Sequence, residues 1–236
     1  MLSDKKWKEF AMTRLVTLTA NASGAAQAAR AGMVVVVVDV IDMSTTLEAA
    51  LDAGALAVFG ASPDAASPPV ALDPEAVGRK AAETALAAGS SVVLVTEPRV
   101  GTDQERAANA SRFLAGVQAG GAEVTAILPN LGAETTKLCD LQGRVVVAVT
   151  ATGGVAYDAA LTAGAPAVVT GTVARTMRKR GSAPAKAAAR RAVEEAVKRD
   201  AGICVVASTA NSLEDLLAAE YILKCIVEEG FLTYGK

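Results

Sequence analysis

The 236-residue sequence predicts an α/β fold of three layers, with helices on both faces of a mostly parallel sheet, formed as a single domain over residues 1–236. Three observations carry that prediction. Valine-rich runs alternate with alanine-rich helical stretches along nearly the whole chain. Hydrophobic residues make up 52% of the sequence and aromatics only 3%, so the interior is built from Ala, Val and Leu, as in small helices packed closely on a parallel sheet. The strongest run, Val34 to Val38, is followed at once by acids, then hydroxyls, then a helix, which is the strand–loop–helix order of such folds.

The elements follow in order. Arg14 to Thr19 reads as the first strand and Asn21 to Ala31 as a small-residue helix stopping at Gly32. Val34 to Val38 is too short for a membrane span and too β-branched for a comfortable helix, so it is a strand buried on both faces. Leu47 to Leu51 has helical spacing, Thr45 and Glu48 stand at capping-box distance, and Gly54 stops the helix. Leu56 to Phe59 is strand-like, and the stretch Ser62 to Pro74, with four prolines, is loop. Pro74 suits the first turn of a helix reaching Ala88. Ser91 to Thr96 is strand, Gln104 to Gln118 approximately helix, Glu123 to Leu128 strand, and Arg144 to Val149 another buried strand. Gly181-Ser182-Ala183-Pro184 opens a helix whose Lys186, Arg190, Glu194 and Lys198 lie four residues apart, the pattern of a solvated face. Ile203 to Ala207 is the last strand, and Ser212 to Asp215 has capping-box spacing before the closing helix.

An internal repeat runs through this order. Ala49 to Val58 matches Ala159 to Val168 at all but two positions, each copy following a strand, which predicts two similar halves of about 14–120 and 121–236. Ala-rich βαβ units of similar composition are the competing explanation. Between strand and helix the second copy has Thr150-Ala151-Thr152-Gly153-Gly154, a loop whose N–H groups suit an anion.

Composition also excludes. A formal net charge of −2 gives no electrostatic case for nucleic acid, and nothing suggests a membrane. Cys139, Cys204 and Cys225 are odd in number and widely spaced, as expected of reduced core residues. Lys5, Lys6, Trp7, Lys8 and Glu9 interrupt any signal-peptide stretch, which favours the cytoplasm. Histidine is absent, removing Ser-His-Asp and Cys-His catalysis and every histidine-ligated metal site. Acid–base work then falls to Asp, Glu, Lys, Tyr or a metal-bound water.

Asp39 and Asp42 stand where the valine strand ends, and Ser44, Thr45 and Thr46 open the next helix. In open α/β sheets this is where ligands bind, against a helix start whose free N–H groups favour an anion. An Asp at a strand end also serves simply to bind loop N–H groups. The spacing of Asp39 and Asp42 is one residue too long for the Asp-x-Asp of haloacid-dehalogenase-type phosphatases, and no Walker A loop or dinucleotide fingerprint is present.

Val38-Asp39-Val40-Ile41-Asp42-Met43-Ser44-Thr45-Thr46 resembles the signature of the 2-phosphosulfolactate phosphatase family, and Ser212-Leu213-Glu214-Asp215 resembles its C-terminal Ser-Leu-Glu-Asp motif. Glu97, Arg99, Gly101 and Asn109 are a looser match to its Gly-Glu-Arg and Gly-Asn-Ser segment. The resemblance implies Mg²⁺-dependent hydrolysis of a phosphate ester on a sulfonated, lactate-like acid, a step toward coenzyme M. Asp39 would then ligate Mg²⁺ or attack phosphorus, with Asp42 and Glu97 as further catalytic acids. Glu214 or Asp215 would complete the metal's oxygen set. Ser44, Thr45, Thr46, Arg99, Asn109, Thr152 and Gly153 would hold the substrate. Three departures stand out: Asp42 where the family has arginine, Thr152-Gly153-Gly154 for its Asn-Gly-Thr, and Pro98 inserted before Arg99. The alternative is a non-catalytic anion-binding or regulatory relative that kept the scaffold. Either is expected to be a homodimer.

Overall fold

The computed structural model describes residues 14–233; Lys5 to Glu9, which bear on the cytoplasmic expectation, lie outside them. The architecture is α/β, with helices interleaved among strands that all run parallel. The strands are β1 (Val16–Ala20), β2 (Val34–Val38), β3 (Ala57–Ala61), β4 (Val92–Thr96), β5 (Val124–Pro129), β6 (Val145–Val149), β7 (Val168–Gly171) and β8 (Ile203–Ala207). The helices are α1 (Asn21–Arg30), α2 (Ser44–Asp52), α3 (Pro74–Ala87), α4 (Asp103–Asn109), α5 (Ser111–Ala119), α6 (Gly153–Thr162), α7 (Ala183–Arg199) and α8 (Leu213–Glu228). Among the described residues no helix is long and apolar enough to cross a membrane.

The strands divide between two sheets, of order β1-β8-β2-β7 and β3-β6-β4-β5. Read from its other edge, the second sheet is β5-β4-β6-β3, so β1 corresponds to β5, β8 to β4, β2 to β6 and β7 to β3. Strands β1–β4 therefore map in order onto β5–β8. Each half gives two strands to each sheet. The repeated sequence forms the two crossings: α2 leads from β2 in the first sheet to β3 in the second, and α6 leads from β6 back to β7. Because every strand is parallel, the chain leaves both sheets at their carboxyl ends, and the starts of α2 and α6 meet there.

The core explains the valine runs. In β2, Val35 and Val37 pack into one apolar cluster and Val34, Val36 and Val38 into another with Ala185, Ala188, Ala192 and Ile222 of α7 and α8. All five valines are fully buried, each contributing up to about 1.5–3 kcal/mol of apolar transfer. Alanine dominates the helix faces because α3 and α5 approach closely: a Cβ on Gly116 would run into the backbone carbonyl of Glu75.

Local expectations are corrected at four points. The helix expected over Gln104 to Gln118 breaks at Ala110 into α4 and α5, and α4 carries a capping box between Thr102 and Glu105. Thr45 and Glu48 form no such box, because α2 begins at Ser44 and Glu48 turns inward to Thr170 and Arg191. Ser212 caps α8 by accepting from Asp215 N–H, while the Asp215 carboxylate bonds elsewhere. Cys204 and Cys225 are buried as expected, but Cys139 is only partly so. The four-residue series on α7 is solvent-exposed throughout.

Candidate functional site

The loops leaving β2, β4, β5, β6 and β8 converge on Asp39. This side chain is 2% exposed. Its Oδ1 accepts from Asp42 N–H at 3.0 Å, and its Oδ2 accepts from Gly153 N–H at 2.6 Å and Thr152 Oγ1 at 2.8 Å. The approach is possible because residue 153 is glycine: a Cβ there would come within 2.7 Å of Asp39 Cβ and of Met43 Cβ. Asp39 thus ties the β2 loop to the start of α6 and occupies N–H groups that would otherwise face an anion. Burial pushes its carboxyl above the ordinary aspartate value of 3.8; hydrogen bonds from Asp42 and Thr152 oppose that, and the charges of Asp215 and Asp42 add to it.

Asp215, 3% exposed, does for α8 what Asp39 does for α6. Its Oδ1 accepts from Val40 N–H at 2.8 Å and its Oδ2 from Ser208 Oγ at 2.7 Å, so the first residue of the resembled C-terminal motif caps the helix and the last pins the β2 loop. Glu214, its neighbour, is exposed and stands apart from the cluster.

In front of these buried acids lies a more open group. The Arg99 guanidinium donates to Asp42 Oδ1 at 2.6 Å and to Glu97 Oε1 at 3.4 Å, and both acid side chains are 35% exposed. Asn130, fully buried, organises this side: Nδ2 donates to Asp42 O at 2.7 Å and Glu97 Oε1 at 3.4 Å, and Oδ1 accepts from Thr46 Oγ1 at 2.6 Å. The remaining hydroxyls also serve the loop. Ser44 donates to Val37 O, and Thr45 donates to Val40 O and contacts Thr172 Oγ1 at 2.8 Å. Asn109 points to Thr96 Oγ1 at 3.1 Å and fixes the end of β4.

The structure therefore brings together Asp39, Asp42, Glu97, Arg99, Ser44, Thr45, Thr46, Thr152, Gly153 and Asp215, and leaves Glu214 and Asn109 aside. Asn130, Ser208 and Thr172 complete the cluster without having been singled out. Each is the polar residue directly following a strand, a signal legible at Pro129-Asn130 and Ala207-Ser208.

Four acids, Asp39, Asp42, Glu97 and Asp215, gather here; among the described residues Arg99 pairs with Asp42 and Glu97, and buried Arg106 backs the same loop by donating to Pro98 O and Arg99 O. Among the described residues, no group of three or more acidic or thiol side chains is spaced to hold a metal ion. Every oxygen of Asp39 and Asp215 is engaged by the protein, whereas Asp42 Oδ2 and Glu97 Oε2 have no partner among the described residues. Mg²⁺ is commonly bound through one or two carboxylates, with water and substrate phosphate filling the rest of its shell, so the Asp42 and Glu97 pair fits that donor set. No family model matches the chain, and no curated protein matches it.

Proposed function

We propose that the group of side chains in front of Asp39 hydrolyses a phosphate ester of a small anionic hydroxy acid in a Mg²⁺-dependent reaction, with a 2-phosphosulfolactate-like compound as the substrate class. One observation carries this reading: Arg99 lies between two partly exposed carboxylates, so a cation is held where a phosphorylated acid needs one. With four acids nearby, an anionic ester is repelled unless further positive charge enters with it. Asp42 and Glu97 hold Mg²⁺, and Arg99, released from them, grips the phosphate or sulfonate oxygens. When bound, Mg²⁺ supplies charge neutralisation at phosphorus and a more acidic water. Asp39 acts as a positioning residue, since its Oδ1 fixes the Asp42 backbone. The aspartate in place of the family arginine is thereby an exchange of a fixed cation for a metal ligand. A cytoplasmic homodimer belongs to the same proposal.

The test is phosphate release from a panel of phosphorylated hydroxy acids with Mg²⁺ or with a chelator. Wild type should turn over at least one ester only with Mg²⁺, and Asp42→Asn should lose about 100-fold or more, as expected when a charge-stabilising group is removed. No release from any ester would overturn the reading. The saturated hydrogen bonding of Asp39 favours a second one, a non-catalytic protein that binds such esters unchanged.

A further inference from the structure

We propose a second ligand site, independent of the Asp39 site and on the pseudo-twofold axis between the two halves, that takes a small apolar zwitterion of the amino-acid class. Strands β3 and β7 are the inner edges of their sheets and are equivalent in the repeat, yet they do not pair with each other. Between them lies a cavity of about 500 Å³, within the range of small-molecule sites, bounded also by the equivalent helix pairs α2/α6 and α3/α7. Its lining is mixed: Leu51, Val58, Phe59 and Leu161 form an apolar part, and charged side chains of α3 and α7 form the rest.

A peptide strand is not the occupant. Val35 N–H donates to Ala167 O, so Val168 and Thr170 turn their carbonyls away from β2 and toward the cavity. Those carbonyls are already taken: Tyr157 Oη donates to Val168 O at 3.1 Å, and Arg191 donates to Thr170 O at 3.2 Å. Arg199 donates to Pro166 O at 2.8 Å, just before the strand. An edge capped in this way resists strand addition.

The charges at the mouth select the ligand. Arg191 is tied to buried Glu48, and Arg199 to Glu195. Lys80 of α3 and Glu194 of α7 also line the cavity, and neither side chain has a hydrogen-bond or ion-pair partner among the described residues. One cation and one anion on opposite helices, beside the apolar part of the lining, match a carboxylate and an ammonium on one apolar body.

Equilibrium dialysis with leucine, 4-methylpentanoate and 3-methylbutylamine, without Mg²⁺ or phosphate, tests this apart from the Asp39 site. Leucine should bind about tenfold or more tightly than either singly charged analogue, and Lys80→Ala and Glu194→Gln should each weaken it by about tenfold. Leu161→Trp should abolish binding by filling the chamber, with an unchanged circular-dichroism spectrum confirming the fold. Equal binding of all three compounds, no binding up to about 10 mM, or unchanged affinity in both charge variants would overturn the proposal. The two charge variants are at exposed positions and keep the test decisive if the tryptophan variant fails to fold.

Discussion

Replacing Asp39 by alanine should cost stability whether or not the site is catalytic. The carboxylate accepts from two backbone N–H groups, of Asp42 and Gly153, and from the Thr152 hydroxyl. Thr152 can turn to another acceptor, but the two buried amides cannot, and an unpaired buried donor costs roughly 1–3 kcal/mol. Removing a desolvated carboxylate returns part of that, so the net loss is about 2–4 kcal/mol, a large share of a typical domain's stability. The assay is urea unfolding followed by far-ultraviolet circular dichroism at pH 7. Asp39→Asn should fall between wild type and alanine, since an amide keeps one acceptor but presents an NH₂ to a donor. The pH dependence has a definite sign. Burial raises the folded-state carboxyl above 3.8, so its protonation favours the folded chain. That contribution is fully present below 3.8 and is lost as pH rises through the folded value. Wild type should therefore gain stability relative to Asp39→Asn as the pH is lowered through that window. A loss below about 1 kcal/mol in the alanine variant, with no change in the pH-dependent difference, would refute the role assigned to Asp39.

Three further outcomes follow from the packing and the burial. Gly116→Ala drives a Cβ into the Glu75 backbone and should lower Tm by about 3–10 °C in calorimetry. Arg191→Ala leaves buried Glu48 with only the Thr170 hydroxyl and should cost about 2–3 kcal/mol in urea, with Glu48→Gln milder because glutamine still accepts from Thr170. Burial pushes the thiols of Cys204 and Cys225 up and shields them, so at pH 8 at most one of the three cysteines should react promptly with a disulfide reagent, and all three after denaturation.

Much of the fold was legible because it rests on short-range patterns. Val34 to Val38 and Ile203 to Ala207 are strands with the limits expected, and Gly and Pro mark the ends of α1 and the start of α3. The division into two sheets was not legible, since strand order depends on contacts between residues far apart in the chain. The match of Ala49–Val58 to Ala159–Val168 hinted at it, for these segments are the two crossings. At the site, the clustering of Asp39, Thr152 and Gly153 follows from those crossings meeting. The inward turn of Glu48 was missed because its partners, Thr170 and Arg191, come from the other half. Asn130 belongs to no motif, and its position directly after β5 was the one sign of its role.

The claim that a divalent cation joins Asp42 and Glu97 in holding an anion is tested most directly by calorimetric titration of inorganic phosphate with and without Mg²⁺. Each ligand should tighten the other by about tenfold or more in wild type, and the coupling should vanish in Asp42→Asn and Glu97→Gln. Phosphate affinity that is the same with and without Mg²⁺ would contradict it.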